Sequence, residues 1–253
     1  MRRILPFFFI LWGISAQAQN WGGGVDSEPL HFGFTFQYIS SEFKILKKPD
    51  WRNRFFDPTD NSKVTDSLYA IHSAPTPGFG LGFVSDLAIG SHANLRFTPG
   101  LVFTDRQIQY DYVSSPSGPV SSPIQGEANA AIVRKVQATM VDLPIGFKLK
   151  SDRLMNFRAY LIGGVKYSLD IVSKKKTNDL DFAYIDKLVK NKRSILAYEA
   201  GIGFDFYFEF FKLSPEIKLS HSVGSVLDPS DNPYSSPLDK LFLRNLQFSL
   251  YFE

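Results

Sequence analysis

The chain has 253 residues, of which 21% are charged and 15% aromatic, with 24 phenylalanines, no cysteine and a formal charge of +3. The lack of cysteine excludes disulfides and lipid attachment through an N-terminal cysteine, and the small net charge argues against nucleic-acid binding. The length suits a single domain, and the aromatic content is high for a soluble protein with so few charges.

The N-terminus has the three parts of a Sec-type signal peptide. Arg2 and Arg3 precede an apolar stretch at 4–14, and Ala16-Gln17-Ala18 forms a small-residue cleavage site. At ~1.5 Å per residue the apolar stretch crosses only about half of a ~30 Å hydrocarbon core. We therefore predict a signal peptide at 1–18, cleaved after Ala18, and a single mature domain at 19–253.

Eight segments of the mature chain alternate apolar and polar residues with period two, the pattern of β-strands. In chain order they cover 31–38, 79–88, 95–110, 142–150, 157–171, 196–208, 213–220 and 242–253. The connections alternate in length: long at 41–75, 114–129, 173–193 and 224–239, and short at 90–94, 151–156 and 209–211. Sorting of loops by length is typical of outer-membrane barrels.

These patterns predict an all-β fold, an eight-stranded antiparallel transmembrane β-barrel with short periplasmic turns and long extracellular loops. A closed barrel satisfies every backbone hydrogen bond within hydrocarbon. Eight strands leave an interior that side chains just fill, so we predict a lumenal charge network instead of a pore. Its predicted members are Arg96, Asp142, Lys148, Arg158, Lys166, Glu199, Asp205, Glu216 and Lys218.

Two other classes of protein share parts of this pattern. A soluble ligand-binding barrel would place the phenylalanine face inside and the charges in water, and cell fractionation would reveal it. A lipid-modifying barrel enzyme would use His221 with a serine from another strand, because Ser220 and Ser222 point to the opposite face. The four histidines lack metal-ligand spacing, and we predict no enzymatic activity, cofactor, metal or small-molecule substrate.

Two of the long loops have compositions that favour contact with other molecules. The first contains aromatic residues that we expect to pack over the barrel mouth or against another protein. The third is basic, is expected to form a short amphipathic helix, and could contact anionic lipid or a partner. The predicted contact residues are Trp51, Phe55, Phe56, Lys174, Lys175, Lys176, Lys192 and Arg193.

Short motifs along the whole mature chain resemble the PorT family of outer-membrane β-barrels of Bacteroidota. They are Trp21 and the segments 29–33 (PLHFG), 141–145 (VDLPI), 157–167 (FRAYLIGGVKY) and 250–253 (LYFE). The resemblance implies a non-enzymatic component of the type IX secretion system, which also supports gliding in some species. It further implies that outer-membrane lipids and other secretion proteins are the partners.

Overall fold

A computed structural model describes residues 29–113, 129–171 and 183–253, with residues 129 and 130 described for the backbone alone. The predicted signal peptide, its cleavage site and the lysines at 174–176 lie outside these ranges. No helix in the described part of the chain is long and apolar enough to cross a membrane.

The regular secondary structure of the described chain is β-strand, apart from one 3-10 turn at Tyr184–Asp186. The strands are β1 (Leu30–Lys47), β2 (Phe55–Phe56), β3 (Lys63–Thr65), β4 (Leu68–His72), β5 (Thr76–Ala88), β6 (Ala93–Phe97), β7 (Gly100–Val113), β8 (Asn129–Lys150), β9 (Phe157–Asp170), β10 (Lys190–Asn191), β11 (Ser194–Tyr207), β12 (Lys212–Ser222), β13 (Leu227–Asp228) and β14 (Leu238–Phe252).

The long strands form a closed antiparallel ring in which each pairs with its neighbours in the chain. The ring closes at β1, where Phe34 lies opposite Phe83 on β5 and Phe252 on β14. β6 and β7 together make one ring strand, interrupted at Pro99, which lacks a backbone donor. The carbonyl of Pro99 still accepts from Phe83 N at 2.9 Å. This confirms the predicted eight-stranded antiparallel barrel.

The phenylalanine-rich face of the strands points outward. Phe32 and Phe83 are 69% and 73% exposed, whereas Thr35 and Asp86 of the opposite parity are buried. On β1 the continuous run of apolar outward residues ends at Tyr38, and the polar outward residues Ser40, Glu42 and Lys44 follow. The barrel therefore carries an apolar outer band with a polar edge, as a bilayer requires. A soluble barrel would bury this face, so that alternative is wrong.

The ring strands extend beyond several of their predicted ends. β1 continues to Lys47, and the β7–β8 hairpin stays paired as far as Val113 opposite Asn129. The first long loop also contains β2, β3 and β4, and β4 adds to the exposed edge of β7. The sequence prediction ended these strands early because their outward residues become polar where the strands leave the apolar band.

Candidate functional site

Ion pairs fill the lower half of the lumen, at the end with the short turns. They join inward-facing residues of β5, β6, β8, β9, β11 and β12 to Glu253, which follows β14. Arg96 is the centre, with its guanidinium 2.6 Å from Asp86, 2.7 Å from Glu253 and 3.4 Å from Glu216. The ring of Tyr251 lies 4.6 Å from Arg96, so the cation also has an aromatic neighbour.

One branch of the network runs toward the turns. Lys148 donates to both carboxylate oxygens of Asp205, at 2.8 and 2.9 Å, and lies 3.7 Å from Asp86. Ser214 donates to the same Asp205 at 2.6 Å, and Lys212 lies 2.5 Å from Glu253. Each carboxylate in this branch therefore faces at least one cation.

A second branch of the network runs along the barrel wall, away from the short turns. Lys218 bridges Glu216 at 3.2 Å and Glu199 at 3.5 Å. Lys166 then bridges Glu199 at 3.1 Å and Asp142 at 3.2 Å. Carboxylates and cations alternate along the branch, which compensates the desolvation of each charge where a single pair would not. In an eight-stranded barrel the side chains just fill the interior, and in the described part of this half those side chains form the network.

Eight of the nine residues predicted for the network are buried and joined by these ion pairs. The ninth, Arg158, is half-buried and lies opposite Asp205 in the strand register. The prediction omitted Asp86, Lys212 and Glu253. The alternation of the sequence could have identified two of them. Lys212 has the same parity as Glu216, and Glu253 has the same parity as the polar residues of the last strand.

The upper half of the lumen is mostly apolar, although Arg106, which is 1% exposed, faces inward next to Ile108 on β7. Inward residues of the strands, among them Ile39, Ile108 and Leu241, are almost fully buried there. Residues of the long loops pack against them and close the mouth; this loop cap is formed by Leu68, Ile71, Val189, Val226, Leu227 and Tyr234. Within the described residues, the upper half of the lumen is thus filled mainly by hydrophobic packing and the lower half by ion pairs.

Tyr234 anchors the loop cap. Its ring packs edge-on against Tyr110 at 5.3 Å, and its backbone carbonyl accepts from the Tyr110 hydroxyl at 2.8 Å. Its own hydroxyl donates to the carbonyl of Ile185 at 2.6 Å and accepts from Arg134 at 2.6 Å. Burial raises the pKa of Tyr234, and the hydrogen bond from Arg134 opposes this effect. The contacts hold two loops and the β7–β8 hairpin together.

Further contacts tie the loops to one another. β10 pairs with β13, and Lys48 N donates to the carbonyl of Pro237 at 3.1 Å. Trp51 is half-buried against the apolar core, with Lys47 Nζ 4.2 Å above its ring. Phe55 lies 5.8 Å from the ring of Tyr184. These two aromatic residues of the first loop therefore pack within the closed mouth.

The remaining predicted contact residues that the structure describes lie on the surface. Phe56 is exposed, as are Lys192 and Arg193. No amphipathic helix forms in the described part of the third loop, which instead contains the 3-10 turn and β10. Backbone pairing of β10 with β13 connects this loop to the last long loop. The apolar side chains of the loop are therefore covered without a regular helix.

His221 faces outward near the upper edge of the apolar band. Its ring stacks on Tyr198 at 5.5 Å, and Nδ1 is 2.8 Å from the carbonyl of Ser222, so that nitrogen carries the proton. The outward serine in the same groove is Ser40, but it lies opposite Leu246, so β14 stands between it and His221. Neighbouring strands are ~4.8 Å apart, which places this pair beyond hydrogen-bond reach.

The short turns carry one side-chain pair at their surface. His92 Nε2 lies 2.8 Å from a carboxylate oxygen of Asp152. This hydrogen bond lowers the pKa of Asp152 below its ordinary value. Within the described ranges, no group of three or more histidine or acidic side chains is placed to hold a metal ion.

Comparison with known proteins places this architecture among membrane barrels. A family model described as outer membrane protein beta-barrel domain matches residues 16–228. A search of curated proteins finds no match. Among solved structures, the chain is similar to the outer membrane protein OprG of Pseudomonas aeruginosa, with 12% identity, a TM-score of 0.42 and coverage of 88% of this chain and 93% of OprG. It is also similar to Ail of Yersinia pestis, solved with the heparin analogue sucrose octasulfate, with 11% identity, a TM-score of 0.33 and coverage of 87% and 96%.

Proposed function

Since the chain belongs to the outer membrane protein beta-barrel domain family, we propose that it is a non-enzymatic outer-membrane barrel that serves protein secretion as an accessory or assembly component. The observation that carries the proposal is that side chains fill the lumen of the described barrel. Arg96 and its carboxylate partners occupy the lower half, and the loop cap closes the upper half. A barrel filled in this way works through its surfaces and does not conduct solutes.

Two surfaces remain for partners. Phe56, Lys192 and Arg193 stand exposed on the loop side. On the periplasmic side, Leu154 is 72% exposed and Phe210 is 86% exposed, on adjacent turns. Exposed apolar residues at turn tips are frequent in contact sites between proteins. The resemblance to the PorT family supports the type IX secretion system as the assembly in question.

The test is deletion of the gene, followed by comparison of secreted and surface-exposed proteins with those of a complemented strain. We expect unprocessed cargo to accumulate in the periplasm of the deletion strain. Complementation with Phe56→Ser, Lys192→Ser and Arg193→Ser combined should restore a folded barrel without restoring export. Lys135→Ser, an exposed outward lysine on β8, is the matched control and should restore export. Unchanged export in the deletion strain would refute a role in secretion.

A second measurement tests the sealed lumen itself. The purified barrel, incorporated into planar lipid bilayers, should show no stepwise ionic current. Discrete openings in the wild-type protein would show that the ion pairs and the loop cap separate under voltage. Protein translocation through this lumen would then have to be considered in place of an assembly role.

A further inference from the structure

We infer that the outer face of β1, β14 and β12, at the extracellular edge of the apolar band, binds a phosphorylated glycolipid of the lipid A type. The site combines a cluster of exposed cations with an apolar groove below it. This inference rests on the membrane location and is independent of a role in secretion. Loss of lipid binding and loss of protein export are therefore separate outcomes.

The cations lie on two paired strands. Lys44 of β1 is opposite Phe242, and Lys240 and Arg244 flank Phe242 on β14. All three cations share the outward parity and are exposed. Diagonal neighbours on paired strands are ~7–8 Å apart at the backbone, so the three long side chains can reach a common anion. We name Lys44, Lys240 and Arg244 the basic cluster.

The basic cluster keeps an excess of positive charge. None of its three members forms an ion pair with another described residue. Glu42, opposite Arg244 in the register, is the carboxylate on the same face and is half-buried. One acid against three bases leaves the face cationic at the level where a bilayer presents its phosphate groups. Arginine is well suited to phosphate, since its guanidinium can donate two parallel hydrogen bonds.

A groove of about 640 Å³ opens directly beside the basic cluster, toward the middle of the band. The groove is deep where the small residues Ser40 and Ala200 line it, and its apolar lining includes Leu219 and Leu246. Tyr198, His221 and Glu42 lie at its polar end, next to Arg244. The apolar part of the groove therefore lies toward the middle of the band, its polar end contains Arg244 and Glu42, and Lys44 and Lys240 lie beyond that end. Acyl chains and a phosphorylated headgroup take the same order in the outer leaflet.

The position of the cations above an apolar groove indicates which kind of molecule binds there. A soluble protein partner would not reach the apolar surface, because that surface lies within the membrane band and only the cations lie at its edge. A lipid with one negative charge would engage the basic cluster only in part. A diphosphorylated, multiply acylated disaccharide provides several negative charges at one level and several chains beneath them, which complements both halves of the site.

The test is binding of diphosphoryl lipid A to the full mature protein in phosphatidylcholine nanodiscs, measured by native mass spectrometry and by titration. The variant Lys44→Gln/Lys240→Gln/Arg244→Gln should bind at least roughly tenfold more weakly, since each cation near a membrane surface contributes several-fold. Lys135→Gln, an exposed outward lysine of β8, is the control and should bind as the wild type does. Ala200→Phe fills the groove without changing charge and should also weaken binding.

Each result bears on the inference. Equal binding by the wild type and the triple variant would overturn it, as would the absence of lipid A binding by the wild type. Equal affinity for phosphatidylglycerol or for dephosphorylated lipid A would show a general anionic or apolar surface, and the assignment to a phosphorylated glycolipid would be wrong. All substitutions are outward, so the heat-dependent gel migration of a folded barrel checks that each variant folds.

Discussion

Replacing Arg96 with methionine tests whether the lumenal network is a desolvated structure. Arg96 is 1% exposed and contacts three carboxylates, those of Asp86, Glu216 and Glu253. Methionine keeps much of the volume but removes the charge. The three carboxylates then depend on their remaining cations, of which Lys148 is 3.7 Å from Asp86.

The expected loss in the free energy of unfolding follows from these distances. Removing one partner of a buried ion pair typically destabilises a protein by ~3–5 kcal/mol. We expect Arg96→Met to fall in that range, at about 3 kcal/mol or more, because each carboxylate keeps one cation but loses its closest or second contact. Arg96→Met/Asp86→Asn should recover about 1–2 kcal/mol, since contacting residues couple by such amounts and Asp86 keeps the longest remaining ion pair.

The assay is guanidinium unfolding of the protein folded in phosphatidylcholine vesicles, followed by circular dichroism. Lys63→Met is the control, because Lys63 is 47% exposed and pairs with Asp66 at 3.0 Å on the surface, where such pairs contribute ~0–1 kcal/mol. A loss below about 1 kcal/mol for Arg96→Met would refute the reasoning. It would mean that water hydrates the lumenal carboxylates and that the lower half of the barrel is not sealed.

Two further predictions concern a close strand approach and the loop cap. A Cβ on Gly164 would lie 2.7 Å from the Cα of Gly146, so Gly164→Ala should lower the free energy of unfolding by about 1–3 kcal/mol in the same assay. Gly224 has open space around it, so Gly224→Ala is the control and should change the free energy of unfolding by less than about 0.5 kcal/mol. Tyr234→Phe should speed amide hydrogen exchange in the loop cap, because it removes two partly buried hydrogen bonds, while Tyr69→Phe at an exposed site should not. Since burial raises the pKa of Tyr234, the 295 nm absorbance lost in Tyr234→Phe should titrate above the pH at which a free tyrosine ionises, and titration at the ordinary pH would contradict the buried cap.

The sequence alone determined the features that depend on period two. Successive residues of a strand point to opposite faces, so Phe34 and Thr35 had to face opposite media. Hydrocarbon leaves no backbone group unpaired, so outward apolar strands had to close into a ring. The alternation of loop lengths then set which end carries the long loops. For these reasons the strand count and the closure were predicted correctly, and the alternation also gave the strand face of each residue assigned to the network.

The tertiary structure alone decided which charges meet. Arg96 and Glu216 are 120 residues apart, and their contact depends on strand register and on the curvature of a closed ring, neither of which the alternation encodes. The tertiary structure also decided how the lumen is divided into an apolar and a polar half. Ile39 and Thr35 share one face of β1, but Ile39 lies in the apolar half and Thr35 in the polar half. Loop residues such as Tyr234 complete the apolar half from distant parts of the chain. A residue's face is a local property, whereas its partners are set only once the ring has closed.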